Sequence, residues 1–353
     1  MDILLIYQYC TFGGVERVIL SRAEAFQKHR LDVKISVGYL HDSGALSAFK
    51  RYVHDHKLDE MVKPSLIEPH GNIKWSVFDL ILAIDTPQIL GEIKDLGNVY
   101  LECHTPYKEN RQYLRSIPDS IKAILVPSES FKLLLQGEFP LLPKIYVIPN
   151  HVTQEFFEIS SLSDNETVFP RKPLSYLGRL DKLKNIDEVL QIFELFRDVE
   201  EIMYILVGNG ASDKRFIMEL KKRELLAKTL LRDKIDFNDV PSFVRLTKKH
   251  NGIYLSASQG ESFGLSPAEF MSGGVPVILS DIPAHRELVN NDERFLYKPG
   301  NINSAKEKVF IIFRCWSDMS AIMRTYSTKF TDEVFWEAWL LFLKEQGIKA
   351  QFL

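Results

Sequence analysis

Short apolar runs alternate along the whole chain with longer stretches of helical periodicity, and this alternation restricts the fold more than any other feature. In the first half, residues 2–7 (DILLIY), 33–37, 78–84, 98–102, 123–126 and 145–148 read as strands. Helices are expected between them at 15–30, 43–52, 87–96 and 129–136, the first carrying Val15, Val18, Ile19, Ala23 and Phe26 at helical spacing. Strand and helix in such turns form βαβ crossovers and a parallel sheet. Residues 154–172 (QEFFEISSLSDNETVFPRK) are polar and lack a period, so they are expected to be a linker. The alternation then restarts, with strands at 174–176, 203–207, 234–237, 252–258, 275–279 and 295–297, and helices at 185–196, 214–231, 244–250 and about 266–272. Two Rossmann-like halves flanking a linker imply a cleft that can close on a ligand. No GxGxxG follows the first strand, which argues against a dinucleotide oxidoreductase.

At 353 residues the chain has room for two ordinary domains. A hydrophobic content of 45%, with 26% charged residues, is that of a globular protein, and a net charge of −3 offers nothing to nucleic acid. Cys10, Cys103 and Cys315 stand far apart without a CxxC and read as reduced thiols of a cytoplasmic protein. Met1-Asp2 leads directly into a strand, so no signal peptide is expected. The longest apolar runs are too short to span a bilayer, which leaves peripheral membrane contact. In the final helix, expected near 333–346, Phe335, Trp336, Trp339 and Phe342 read either as core packing or as a membrane-seeking patch.

Residues 260–281 (GESFGLSPAEFMSGGVPVILSD) hold the chemistry. Glu261 falls in a loop after a buried strand, and Glu269 follows on a helix whose cap and first turn are expected at Ser266-Pro267. Two carboxylates at the carboxyl end of a parallel strand, beside the backbone N–H groups of Ser262, Phe263 and Gly264 at a helix start, suit a ligand bearing hydroxyls and phosphate. Ser266-Pro-Ala-Glu269 also fits a capping box, and Glu261 a solvated loop acid. Gly13-Gly14 between the first strand and helix admit a phosphate or simply turn the chain, with Glu16 favouring the helix start either way. Arg179 and Lys184, in GRLDKLKN, present two cations that either neutralise a diphosphate or form a solvated basic loop. His104, in LECHTPY, ends a strand and faces the cleft by topology, though a lone His is often structural. Lys108, Arg111 and Arg115 read as a solvated face or as an acceptor site. No Asp-x-Asp is present, and His54 and His56 read as a surface turn, so no metal or other cofactor is expected.

The Glu-x7-Glu segment resembles, almost residue for residue, the donor-site signature of the retaining GT-B-fold glycosyltransferases grouped as family 4, which includes phosphatidylinositol mannosyltransferases and lipopolysaccharide and capsule enzymes. The resemblance implies an α/β protein with two Rossmann-like α/β/α domains and an interdomain cleft. Residues 1–153 would bind the acceptor, 154–172 link, 173–330 bind the nucleotide sugar, and 331–353 form a helix packing back toward the N-terminal domain. It implies that Glu261 contacts the transferred sugar and Glu269 the ribose, with Ser262, Phe263, Gly264 and Leu265 around the donor. Gly13-Gly14 would abut the diphosphate, and Arg179 and Lys184, matching the family's Gly-Arg followed by Lys and then Gly or Asn, would stabilise it as it leaves. His104 would lie near the transferred sugar, and Gly208 and Val240 beside the nucleotide. Asp239 replaces the usual Gly before Val240.

The resulting expectation is a metal-independent, retaining hexosyltransferase moving a sugar from a UDP- or GDP-sugar to a glycan or lipid-linked acceptor, in the cytoplasm or peripherally at the inner face of the membrane. The rivals are a nucleotide-sugar epimerase or isomerase of the same fold and a non-catalytic sugar-nucleotide binder.

Overall fold

In the computed structural model of the chain, residues 1–68, 71, 73–160 and 171–352 are described. They divide into two compact units, Met1–His151 with Asp332–Leu353, and Val152–Thr331.

The first unit opens with strand β1 (Asp2–Cys10), helix α1 (Gly14–Lys28), β2 (Lys34–Asp42), α2 (Leu46–Asp55) and β3 (Val62–Leu66). Next come β4 (Leu80–Ile84), the short α3 (Leu90–Ile93), β5 (Val99–Glu102), β6 (Ala123–Val126), α4 (Glu129–Glu138) and β7 (Lys144–Val147). The seven strands form one sheet in the order β3-β2-β1-β4-β5-β6-β7, every pair parallel. Leu5 of β1 stands opposite Val37 on one side and Leu82 on the other. The central strands β4, β5 and β6 are buried throughout, as parallel strands covered on both faces must be. The edge strand β3 is half exposed and contains Pro64, a residue that an edge tolerates because no inward N–H is required of it. That mixed pattern is why no strand was expected there.

The second unit begins with α5 (Gln154–Ser160), then β8 (Lys172–Leu177), α6 (Ile186–Glu194), β9 (Ile202–Val207), α7 (Lys214–Lys222), β10 (Thr229–Arg232) and α8 (Val240–Lys249). It continues through β11 (Ile253–Ser256), α9 (Leu265–Ser272), β12 (Val277–Ser280), α10 (Pro283–Leu288), β13 (Leu296–Tyr297), α11 (Ile302–Arg314) and α12 (Trp316–Tyr326). Its six strands are also all parallel, in the order β10-β9-β8-β11-β12-β13. In both sheets the order of strands reverses beside the first-formed one, between β1 and β4 and between β8 and β11. Such a reversal sends the flanking connections to opposite faces and leaves a crevice outside the carboxyl ends, where open α/β sheets hold ligands.

Two expectations need correction here. Residues 154–160 are not linker: they form α5, whose Phe156 and Ile159 are fully buried in the core of the second unit. The surrounding Ser, Asp and Glu hid this apolar pair at helical spacing; the rest of the expected linker, 161–170, lies outside the described residues. The helix expected over 214–231 stops at Lys222, because Glu224 adopts a left-handed backbone (φ 59°) and the Leu225 N–H closes back onto Leu220 O at 2.9 Å. The edge strand then occupies 229–232, and 234–237 is not a strand.

Helix α13 (Asp332–Glu345) belongs to the first unit. Phe335, Trp339 and Phe342 are buried, with Phe26 of α1 at 5.7 Å from Phe335 and 5.3 Å from Trp339, centroid to centroid. Trp336 stacks on His29 at 4.6 Å. These aromatics pack the first unit. Among the described residues no helix is long and apolar enough to cross a membrane.

Phe156→Ala should remove about 3–5 kcal/mol of stability, the usual cost of emptying a buried phenylalanine site. Urea denaturation measures it; a loss below about 1 kcal/mol would show that α5 only rests on the surface.

Candidate functional site

Both loops of the crevice in the second sheet are built from buried or paired charges. After β8, Asp181 organises the turn: its Oδ1 accepts the Lys184 N–H at 2.9 Å and its Oδ2 accepts Arg179 Nε at 2.8 Å. The Tyr176 hydroxyl donates to Arg179 O at 2.6 Å and fixes the base of the same turn. After β11, the Gln259 N–H donates to Leu183 O at 2.8 Å, tying the two loops together. Lys184 then reaches across, its Nζ 2.5 Å from Glu261 Oε1, and the Ser258 hydroxyl donates to that same oxygen at 2.7 Å. Burial opposes ionisation of Glu261, whose side chain is 9% exposed, but Lys184, aided by His285 and Ser258, outweighs it and holds the carboxyl below its usual value. Glu261 is therefore a buried carboxylate with a dedicated cation and not a solvated loop acid. Arg179, with its side chain 58% exposed, keeps its guanidinium mostly in water.

The helix after Glu261 starts two residues earlier than a cap at Ser266 suggests. Its N-cap is Gly264 in a left-handed backbone (φ 101°), and a Cβ there would meet Leu288 Cδ1 at 3.0 Å and Pro267 Cγ at 3.2 Å. Ser262 precedes this cap, and Leu265 opens the helix. Phe263 is buried and turns edge-on to Phe330, so its side chain belongs to the core. Glu269 is buried in the second turn of α9. Gly208, at the end of β9, has a packing reason of its own, since a Cβ would run into Gly178 O. Val240 opens α8 and is buried in the core.

In the first unit, Gly13-Gly14 and His104 lie at the carboxyl edge of the sheet, after β1 and β5. The Gly13 N–H is already committed: Glu16, fully buried, accepts it at 2.7 Å and the Thr11 N–H at 3.0 Å. A carboxylate thus occupies one of the donors that the GG turn would turn toward a phosphate. His104 Nε2 lies 2.6 Å from Glu102 Oε1, and its backbone N–H donates to Asp85 Oδ2 at 2.8 Å. Arg22 grips Glu102 from the far side, Nη1 to Oε2 at 3.0 Å and Nη2 to Oε1 at 2.5 Å. Burial raises Glu102 while Arg22 and His104 lower it, and the charges win, holding it at about 2. Arg111 is not part of a solvated face: it is buried, forks onto Glu138 and lies 5.6 Å over Phe131. His56 pairs with Glu24 at 3.1 Å and stacks on Tyr52. Among the described residues no group of three His, Cys, Asp or Glu side chains could hold a metal ion.

Sequence reading passed over Asp181, Ser258, Glu102, Arg22 and His285. His285 is fully buried at the start of α10, donating Nδ1–H to Ser280 O at 2.8 Å, while Nε2 has no partner among the described residues. Burial pushes its pKa down to about 4, against the pull of Glu261. The unfolded imidazole, at about 6.5, takes up a proton that the folded one refuses, so stability rises with pH between those values and is lost on acidification. The full contribution is on the order of 3 kcal/mol. Thermal melts from pH 7 to pH 4 should show a shallower acid loss in His285→Asn than in wild type; an unchanged slope would clear His285 of this role.

Residues 164–330 match the family described as glycosyl transferases group 1. Among curated proteins, the chain is 28% identical over 172 residues to the GtfA subunit of a UDP-N-acetylglucosamine–peptide N-acetylglucosaminyltransferase from Streptococcus pneumoniae, covering 47% of this chain and 31% of that one. It is 36% identical over 112 residues to the O-antigen biosynthesis glycosyltransferase WclY of Escherichia coli, covering 31% and 29%. The matched stretches thus span about a third of those relatives' length. Among solved structures, Anabaena Alr3699/HepE, crystallised with UDP and glucose, superposes with a TM-score of 0.74 at 18% identity, over 98% of this chain and 100% of that one. The chain has the two parallel-sheet architecture of GT-B glycosyltransferases, and within its second unit residues 164–330 are similar to the glycosyl transferases of group 1.

Proposed function

We propose that the chain is a retaining, metal-independent glycosyltransferase that moves a sugar from a UDP- or GDP-sugar to a glycan or lipid-linked acceptor. The observation that carries this reading is the Lys184–Glu261 pair at the strand reversal of the second sheet, directly before the start of α9. An incoming nucleotide sugar offers each partner a substitute: phosphate oxygens for the ammonium and sugar hydroxyls for the carboxylate. Exchanging partners in this way pairs the ammonium with a new anion and leaves the carboxylate hydrogen-bonded, so neither group is left bare. Arg179, half exposed and paired with Asp181, adds a second cation for the diphosphate. Glu269, Ser262, Gly264, Leu265, Gly208 and Val240 would line the nucleotide side.

In the proposed step the bond from the anomeric carbon to the phosphate oxygen breaks, and a bond to the acceptor oxygen forms on the same face. The acceptor proton passes to the departing diphosphate. Lys184 and Arg179 stabilise the charge that grows there, which is the largest contribution a protein makes to such a transfer. The complex of Alr3699/HepE with UDP and glucose and the name of the pneumococcal relative support a UDP-sugar as the donor. Unpaired Cys10 and Cys103, both buried, suit a reducing cytoplasm.

A thermal-shift screen of nucleotide sugars should find one that raises the melting temperature, since ligand bound only to the folded state stabilises it. With that donor, Lys184→Ala should lower kcat by roughly 10²–10³-fold. Stability is measured alongside, because Glu261 loses its cation. A well-folded variant with undiminished turnover would remove Lys184 from the mechanism, and an altered nucleotide sugar released without acceptor would replace the transferase reading with an epimerase.

A further inference from the structure

The first unit contains a buried charge relay that the reading above does not use. Glu102 closes β5 and His104 lies two residues on, so in extended backbone both side chains project to the same side. Arg22 comes from α1 and is 4% exposed, Glu102 is 1% exposed, and the His104 side chain 7%. The guanidinium lies 5.8 Å over the ring of Phe335, which backs it from α13. His104 is fixed twice, its backbone by Asp85 and its ring by Glu102. Asp85 is itself held in a left-handed backbone (φ 42°) and accepts from the Tyr113 hydroxyl at 3.3 Å.

This order of charges dictates where the imidazole proton sits. Arg22 offers only donors, so both Glu102 oxygens act as acceptors and the carboxyl stays ionised. A carboxylate cannot donate, so the 2.6 Å contact requires the proton on Nε2. In the neutral ring Nδ1 then keeps its lone pair, and among the described residues none pairs with it. Neutralising Arg22 alone would not call for a histidine on the same oxygen. The relay instead leaves Nδ1 as an acceptor on the ring's remaining exposed edge, at the carboxyl edge of the sheet.

We propose that Glu102, pinned by Arg22, is a positioning residue that holds His104 in the Nε2-protonated form so that Nδ1 accepts a hydrogen bond from a substrate hydroxyl. This rests on the glycosyltransferase reading, in which the ligands are rich in hydroxyls. It gives His104 a defined polarity, as acceptor and not donor, and brings Arg22 and Glu102 into the functional site although neither touches substrate.

Glu102→Gln tests the idea sharply because the amide has one oxygen and one NH₂. Arg22 Nη2 and His104 Nε2 share the Oε1 position, so either amide orientation sets the NH₂ against an Arg22 N–H, and wherever the NH₂ takes the Oε1 position it faces Nε2 and the imidazole proton moves to Nδ1. Imidazole ¹⁵N shifts of histidine-labelled protein, assigned with His104→Gln, should report Nε2–H in wild type and a gain of Nδ1–H in Glu102→Gln. Turnover of the stabilising nucleotide sugar should fall roughly 10²–10⁴-fold in kcat, the range expected for a wrongly protonated histidine, while donor KM moves less than about twofold. Glu102→Asp keeps a carboxylate acceptor and should retain Nε2–H and far more turnover than the glutamine variant.

Nδ1–H in wild type overturns the proposal, and this spectrum decides even if Glu102→Gln does not fold. A folded Glu102→Gln in which the proton has moved to Nδ1 and kcat stays at the wild-type value also overturns it and leaves the transferase reading intact. A wild type that neither transfers nor hydrolyses any nucleotide sugar brings down that reading instead, and with it the substrate role of Nδ1, whatever the tautomer.

Discussion

At the carboxyl edge of each parallel sheet a largely buried carboxylate lies within contact distance of a cation. In the first, Glu102 is answered by Arg22; in the second, Glu261 by Lys184. Leaving either acid alone would cost several kcal/mol, so much of the local structure follows from delivering the cation. Helix α1 carries Arg22 to Glu102, and the Asp181 turn carries Lys184 to Glu261.

The two answers differ in kind. A guanidinium engages both oxygens in a planar fork and stays charged under all conditions, so Arg22–Glu102 is built to persist. An ammonium is a point charge on a flexible stem, and Lys184 is 24% exposed where Arg22 is 4% exposed. The first arrangement suits an internal fixture that fixes a neighbour's geometry. The second suits a contact that gives way when a ligand supplies replacements. Both follow from residue type and burial, and both lie where the topology opens a crevice.

The alternation of strand and helix was legible because buried parallel strands must be continuously apolar, as LILAI in β4 and VILS in β12 are. It failed at the edges. Strands β3 and β10 are half solvated, so their residues carry no such run, and α5 hid two core residues in a polar stretch. At the site, Glu261 and Lys184 stood out through the motifs around them, while their organisers did not. Asp181 and Ser258 look like ordinary loop residues until the backbone brings them to Lys184 and Glu261. Glu102 sits two residues from His104, yet its role depends on Arg22, 80 positions away, and no local pattern reports a pairing at that distance. The GG turn shows the opposite failure: its glycines were visible, but the carboxylate of Glu16 that takes the Gly13 N–H was read only as a helix starter.

The return of α13 to the first unit makes that unit discontinuous in the chain, whereas Val152–Thr331 is one unbroken stretch. During synthesis the second unit has all its residues before the first does. Phe26, and the ring of Phe335 behind Arg22, meet only after some three hundred intervening residues have emerged. Until then Phe26 lacks the rings that cover it, so the first unit is the later to complete its core.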